Sequence, residues 1–274
     1  MSSPLTPTAA TATRDRRQRV QAATTGMVLL KALARLGGRA TLTALARQVA
    51  ENPAKVHRYL NSMMEEGLVD QDPISLQYFL AAEAIQIGLA AMRLADPLRT
   101  AEPALARLRQ TLEMTCFLAV MGNKGPTIVR FEEPGLPVTL NVRVGSVLPM
   151  LWSATGRVFL AYLDDPQVEK LAMEELAGIR SGRRALLDKT DPVGTLRKEV
   201  LDVGMAIVRD TNLQGISAIA APIFDFSNKI VAVLTVLGST GSFDTRARGR
   251  VAKAVLQESQ SISASLGHLP QEKR

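Results

Sequence analysis

The sequence predicts an α+β chain in two parts: an N-terminal winged helix-turn-helix and a larger domain that mixes strands with flanking helices. Two short amphipathic helices stand in succession over residues 40–67, and two β-rich runs around an Asp-Pro turn follow them. From residue 97 onward, runs with strand periodicity are interspersed with runs of helical periodicity over about 170 residues, which predicts a second domain built around one sheet.

The helix-turn-helix prediction depends on residues 40–67. In the first helix Thr41 or Thr43 can cap the N-terminus, and the apolar residues at helical spacing are Leu42, Leu45, Ala46 and Val49. The second helix begins with Asn52 as its cap and Pro53 at its first position, and it ends at Gly67. Its apolar stripe is Val56, Leu60, Met63 and Met64, and the side chains that point away from the stripe are Ala54, Lys55, Arg58, Asn61 and Ser62.

A pair of short helices whose second member has a cationic outer face is typical of DNA-binding proteins. The alternative is that this face is simply exposed to solvent, as most polar helix faces are. Two neighbours favour DNA binding. A first helix over residues 22–36 precedes the pair and ends at Gly37-Gly38; the residues predicted to share its apolar face are Met27, Leu30, Leu33 and Ala34. Two predicted strands, 68–71 and 76–80, form a hairpin around Asp72-Pro73 and would be the wing.

The charge distribution supports the same interpretation. Residues 1–64 carry ten Lys and Arg against two acidic residues, and residues 65–274 carry 23 against 24, so the two parts have charges of +8 and −1 within a net charge of +7. A basic segment attached to a near-neutral domain is the electrostatic pattern of a nucleic-acid-binding protein. Residues 1–20 lack an apolar period and are predicted to be a disordered basic arm, which either contacts phosphates or is a solvated tail.

Residues 82–96 predict a linker helix whose apolar surface is broad, so it packs either on a partner chain or on its own domain. Beyond it, the predicted helices are 97–112, 153–163, 166–176, 191–203 and 244–266. The predicted strands are 115–121, 127–131, 138–142, 217–224 and 230–237.

Motifs that carry chemistry are absent from the sequence. It has no glycine-rich dinucleotide or phosphate-binding loop, and its two histidines, His57 and His268, lie outside the expected core of the large domain. Cys116 is the only cysteine, so a disulfide or cysteine metal cluster cannot form within the chain, and its strand position predicts a small core residue. We therefore expect no catalytic residues, no metal and no cofactor.

The chain also lacks an apolar run of about 18 residues and the apolar core of a signal peptide. We therefore expect a cytoplasmic protein without a membrane partner.

The chain resembles the IclR family of bacterial transcriptional regulators over residues 22–268. The segments that carry the resemblance are KVHRYL (55–60), MEEGLV (64–69), EMT (113–115), VGSVLP (144–149), SATGRVFLA (153–161) and GISAIAAPIFD (215–225). The sequence departs from the family pattern at Ala81 after the wing strand, at Asp210 with Arg209 beside it, and at Trp152 before the SATGR segment.

The resemblance implies a winged helix-turn-helix (residues 21–81), a linker helix (82–96), a GAF-like α/β effector-binding domain (97–268) and a tail (269–274). It also implies homodimers, often homotetramers, on palindromic double-stranded DNA operators. Repressor and activator roles both fit. The residues expected at DNA are Thr41, Thr43, Asn52, Ala54, Lys55, His57, Arg58 and Asn61. Among them, Lys55 and Arg58 suit phosphates or guanine edges, whereas His57 is either a contact or a packing residue.

Positions carried over from the family motifs suggest an effector pocket lined by Leu140, Val142, Ala154, Thr155, Val208, Ile216, Ala218, Thr235 and Leu237. Their composition, apolar with a few hydroxyls, suits a small organic acid, aromatic ones included. Three arginines are candidates to pair with its carboxylate: Arg130, Arg143 and Arg209. Each is otherwise an exposed strand-end residue, and most of the apolar positions could equally be plain core.

The sequence is compatible with three hypotheses about function. The first is a ligand-responsive transcription regulator. The second is an enzyme in which the winged helix serves only for dimerisation, against which the missing catalytic motifs argue. The third is a ligand-binding or scaffold module that does not touch DNA, against which the charge asymmetry argues. The first is the prediction that we carry forward.

Overall fold

The computed structural model describes residues 20–134, 142–179 and 181–269 of the chain. Its residues form two compact units that divide after Leu94. The predicted arm falls almost wholly outside the described residues, as do residues 138–141 of the predicted strand 138–142.

The first unit is a winged helix-turn-helix, as predicted. Its elements are α1 (Gln21–Arg35), β1 (Arg39–Ala40), α2 (Leu42–Val49), α3 (Pro53–Glu65), β2 (Val69–Gln71), β3 (Tyr78–Leu80) and α4 (Ala82–Leu94). The strands form an antiparallel sheet in the order β1-β3-β2. The two-residue strand β1 was not predicted, because only its pairing with β3 distinguishes it from a loop.

Local capping chemistry sets the bounds of the helix pair. The Thr41 hydroxyl accepts a hydrogen bond from the Ala44 amide at 3.2 Å, and Asn52 Oδ1 accepts one from the Ala54 amide at 2.8 Å. Gly67 follows α3 with φ 68°, a left-handed conformation that closes the helix and that favours glycine. The predicted caps are therefore confirmed, with Thr41 rather than Thr43 as the cap of α2.

The predicted apolar face of α1 is wrong in part. Leu29, Ala32 and Leu33 are the buried residues of this helix, whereas the side chain of Met27 is 61% exposed. Because apolar residues occur on more than one side of α1, helical spacing alone did not determine which side packs; contact with α2 and the sheet selects it.

The second unit is one antiparallel sheet between two layers of helices. Its elements are α5 (Pro97–Leu112), β4 (Thr115–Gly122), β5 (Gly125–Glu132), α6 (Ala154–Tyr162), α7 (Pro166–Ala177), α8 (Ser181–Arg184), α9 (Pro192–Val203), β6 (Ala206–Arg209), β7 (Ile216–Phe224), β8 (Ile230–Ser239) and α10 (Arg250–Ser265). The strand order is β5-β4-β8-β7-β6.

Side chains alternate between the two faces of this sheet. Cys116, Leu118 and Val236 face the layer of α5 and α10, whereas Phe117, Ala119 and Val233 face the layer of α6, α7 and α9. Both faces are buried, so the strands read as continuous apolar runs. Cys116 is fully buried, as predicted, and burial raises the pKa of its thiol to about 12.

The start of the last helix differs from the prediction, and a short strand was not predicted. The last helix begins at Arg250 rather than at residue 244, because the Asp244 carboxylate accepts hydrogen bonds from the Arg246 and Arg250 amides and holds residues 244–249 in a turn. Strand β6 was missed because four residues are too few for a clear period. Within the described ranges, no helix has the length and apolar character needed to cross a membrane.

Candidate functional site

The second unit contains a pocket of about 480 Å³, part of it open to solvent, between the sheet and α6. Eight of the nine residues expected to bind an effector line it together: Val142, Ala154, Thr155, Val208, Ile216, Ala218, Thr235 and Leu237. The ninth, Leu140, lies outside the described residues. The residues of the lining that were not expected are Phe117, Leu148, Ser153, Asn212 and Leu213.

Strand register places the pocket floor. Thr235 on β8 pairs with Phe117 on β4 and with Ala220 on β7, so these three residues lie side by side. Two positions along β8, Leu237 pairs with Ala218 on β7. Because residues two apart share a face, this one face presents a continuous patch of small and apolar side chains with one hydroxyl.

The N-terminus of α6 forms the opposite wall. Ser153 caps this helix, and its hydroxyl donates to the Pro149 carbonyl at 2.6 Å and accepts from the Gly156 amide at 2.9 Å. The first N–H groups of a helix have no partner within it. Those of Ala154 and Thr155 belong to residues that line the pocket, so they give this wall a partial positive charge that suits an anion.

The polar side chains of the described lining are Ser153, Thr155, Asn212 and Thr235. The Thr155 and Thr235 hydroxyls are 2.9 Å apart and hydrogen-bonded, and both residues are 1% exposed. Each hydroxyl can form a further hydrogen bond, so the pair can recognise a polar group on a ligand.

The three candidate arginines are not part of the described lining. Arg130 forms an ion pair with Glu102 at 2.8 Å. Arg143 is exposed, and Arg209 is exposed on β6 next to the inward-facing Val208. The hypothesis that an arginine holds the carboxylate of a ligand therefore finds no support in this lining.

Glu175 on α7 fixes the segment that precedes α6. Its Oε2 atom accepts hydrogen bonds from the Met150 and Leu151 amides at 2.7 and 3.2 Å. Burial raises the pKa of this carboxyl above its usual value, and the two amide hydrogen bonds oppose that shift. The side chain thus holds the backbone that leads into the pocket wall.

The outward face of α3 is the candidate DNA-binding surface of the first unit. Val56, Leu60 and Met63 are buried, and the side chains that remain accessible include Ala54, His57 and Arg58. The first turn of α3 contains no acidic residue, so its N-terminus can accept a phosphate. Thr43 is exposed on α2, whereas Thr41 and Asn52 use a side-chain oxygen as helix caps.

The cations of this surface differ in their partners. Lys55 forms an ion pair with Glu51 at 2.7 Å. Among the described residues, no carboxylate forms an ion pair with Arg58. The Asn61 amide nitrogen lies 3.5 Å from His57 Nδ1. Arg58 is therefore the cation of α3 that is available to DNA without breaking an existing contact.

A winged helix-turn-helix with such a surface, together with an α/β unit that contains a core pocket, defines a transcriptional regulator with a DNA-binding and an effector-binding domain. The family described as "IclR helix-turn-helix domain" matches residues 22–73. The family described as "Bacterial transcriptional regulator IclR C-terminal" matches residues 90–264. The chain therefore belongs to the IclR family.

Known relatives agree with this assignment. The chain is 26% identical over 234 residues to the transcriptional repressor IclR of Escherichia coli K12, covering 84% of each chain. It is 23% identical over 227 residues to the E. coli K12 regulator KdgR, covering 83% of this chain and 86% of that one. The crystal structure of Pseudomonas aeruginosa HmgR matches with a TM-score of 0.82 and 38% identity, over 91% of this chain and 99% of that one. These relatives are named as transcriptional regulators or repressors, and the chain, as a member of their family, is a transcriptional regulator.

Proposed function

We propose that the chain is a cytoplasmic regulator that binds a palindromic DNA operator as a homodimer or homotetramer and responds to a small organic acid, aromatic acids included. In this proposal residues 21–81 bind DNA, residues 97–268 bind the effector, and the helix of residues 82–96 connects these two domains. The observation that carries it is the combination of a capped, outward-facing α3 that bears Arg58 with a core pocket lined by the positions that the family motifs indicated.

Two properties of the pocket support an organic acid. Most of the lining is apolar, Phe117 included, which suits the carbon skeleton of a small molecule. The free N–H groups at the start of α6 offer a carboxylate a site without a cationic side chain. The Thr155–Thr235 hydroxyl pair offers hydrogen bonds to a second polar group on the ligand.

The operator is proposed to be read by α3. Arg58 can bind guanine O6 and N7 in the major groove, and Lys55 can bind phosphate once it leaves Glu51. Replacing Arg58 with alanine is expected to lower the ratio of operator to non-specific DNA affinity by at least about fivefold, which corresponds to about 1 kcal/mol. The measurement is equilibrium binding to a duplex that the protein selects from a random library, and to a scrambled duplex, at two salt concentrations.

Arg47→Ala is the matched control for Arg58→Ala, because it removes the same charge from α2 of the same unit. We expect it to weaken binding to both duplexes by a similar factor, as loss of a sequence-independent electrostatic contribution does. If Arg58→Ala behaves in the same way as this control, Arg58 does not read a base.

The linker helix supports a homodimer. None of the 13 residues of α4 is buried by other residues that the structure describes. Ile85, Leu89 and Met92 are spaced as one helical face and are 59, 39 and 42% exposed. A short helix with this much apolar surface in water is marginal, so a second copy of the chain is the proposed cover.

Ile85→Lys is expected to shift the protein towards the monomer and to weaken operator binding, because the charge would enter the proposed apolar interface. Sedimentation equilibrium measures the mass and also distinguishes dimer from tetramer. Gln86→Lys, one residue further along α4, adds the same charge at an exposed polar position and is expected to change neither. An unchanged mass for Ile85→Lys would exclude α4 as the interface.

A further inference from the structure

The loop between β6 and β7, residues 210–215, closes one side of the ligand pocket and is held from outside by an arginine of α8. We propose that Arg183 is a positioning residue that clamps this loop over the pocket and thereby controls how fast small molecules enter and leave. The inference builds on the ligand-binding role proposed above, but the access that Arg183 would control can be measured without a ligand.

The two ends of loop 210–215 are fixed by their own hydrogen bonds. The Asp210 carboxylate accepts hydrogen bonds from the Gly215 amide at 2.7 Å and from the Thr240 hydroxyl at 2.9 Å. The middle of the loop supplies the pocket lining, through Asn212 and Leu213. The position of the middle therefore depends on contacts made outside these two ends.

Arg183 and Trp152 make those contacts. Arg183 Nη2 donates to the carbonyl oxygens of Thr211 and Asn212, at 2.7 and 3.1 Å. The same guanidinium lies over the Trp152 ring, 4.9 Å from its centre. The Thr211 hydroxyl also donates to the Trp152 carbonyl at 2.7 Å. Since Trp152 directly precedes the cap of α6, the clamp joins the loop to the opposite pocket wall.

A second cavity shows where the clamp acts. Asn212 lines the ligand pocket and also a solvent-open cavity of about 1020 Å³, whose lining includes Trp152, Glu175 and Arg183. Asn212, whose backbone Arg183 holds, is therefore part of the wall of both cavities, and in this proposal it is the barrier that a molecule passes between them. Because Arg183 is exposed, its hydrogen bonds exchange readily with water, and the loop can open locally without unfolding the sheet.

The test is the reaction of a cysteine inside the pocket with methyl methanethiosulfonate. Ala218→Cys places a thiol on the pocket floor of the full-length chain, and the native Cys116 stays silent because it is buried and its pKa is raised to about 12. Adding Arg183→Ala is expected to speed modification of residue 218 by roughly tenfold, since two hydrogen bonds and a cation–π contact are lost. Arg184→Ala, which removes the neighbouring charge, is expected to leave the rate unchanged.

Equal modification rates in the Arg183→Ala and Arg184→Ala backgrounds would overturn the clamp. Arg183→Lys keeps the charge but loses the planar donor group, so it should label as fast as the alanine variant; labelling at the parental rate would also overturn the proposal. Unfolding temperatures should match among the variants, and acrylamide quenching of Trp152, the only tryptophan, should increase when Arg183 is replaced. If Arg183→Ala is itself unstable, Arg183→Met replaces it, because it keeps aliphatic cover on Trp152.

The two proposals fail separately. If Arg183→Ala speeds labelling but no carboxylic acid alters DNA binding, the clamp stands and the proposed effector class is wrong. If acids alter DNA binding but replacing Arg183 leaves the labelling rate unchanged, the proposed regulatory function is retained and the clamp is wrong. Ligands then reach the pocket by another route.

Discussion

Replacing Gly156 with alanine is expected to destabilise the second unit by more than about 4 kcal/mol, because the new methyl group would overlap backbone atoms. A Cβ at residue 156 would lie 2.6 Å from Met150 Cα and closer still to the carbonyl oxygens of Pro149 and Met150. These atoms cannot move aside easily, since Ser153 holds the Pro149 carbonyl and Glu175 holds the Met150 amide. Urea and thermal unfolding of the full-length chain measure the effect.

Gly241→Ala is the matched control for Gly156→Ala. It makes the same chemical change in an exposed turn where no atom would lie within 4 Å of the new Cβ, and we expect a change of less than about 0.5 kcal/mol. If Gly156→Ala unfolded with the stability of the parent, the close approach of α6 to residues 149–150 would not exist in solution.

The second large effect is expected at Thr155, which the proposed function places against the ligand. Thr155→Leu adds volume to the pocket wall and removes the hydroxyl that faces Thr235 at 2.9 Å. Each change costs about 1–3 kcal/mol, so ligand affinity should fall by at least roughly 30-fold. Operator binding without ligand should persist. The measurement is titration of the operator complex with aliphatic and aromatic monocarboxylates, from acetate to phenylacetate.

Thr155→Ser keeps the hydroxyl and removes only a methyl group, so we expect it to retain the response to the ligand. A Thr155→Leu protein that still responds would show that the ligand binds elsewhere. Loss of operator binding in the absence of ligand would instead assign Thr155 a structural role.

Much of the fold was predictable because local chemistry specifies it. Asn52 followed by Pro53 and, later, Gly67 predicted the bounds of α3, and the structure has the same cap and the same left-handed glycine. These features involve hydrogen bonds between residues only a few positions apart. The start of α10 was not predicted. Asp244 accepts a hydrogen bond from the Arg250 amide, six residues further along, and this bond holds a turn within an otherwise helical pattern.

The pocket was predictable only through the family resemblance. The lining joins Phe117, Thr155 and Thr235, which come from three elements far apart in the chain. Alternation along a strand places Arg209 on the face opposite to the inward-facing Val208, so the sequence already predicts that Arg209 points away from the pocket. No local pattern signals that Arg130 pairs with Glu102, 28 residues away.

The sequence by itself determined the class of this protein: the charge asymmetry, the capped helix pair and the ordered motifs of the second domain all lie in local composition and spacing. Only the tertiary structure decided which of those residues meet. It selected the buried face of α1, placed eight predicted positions around one pocket, left the three candidate arginines out of the described lining and set Arg183 over Trp152. The physical reason is that capping and periodicity depend on neighbours in the chain, whereas strand register and packing depend on residues brought together from across it.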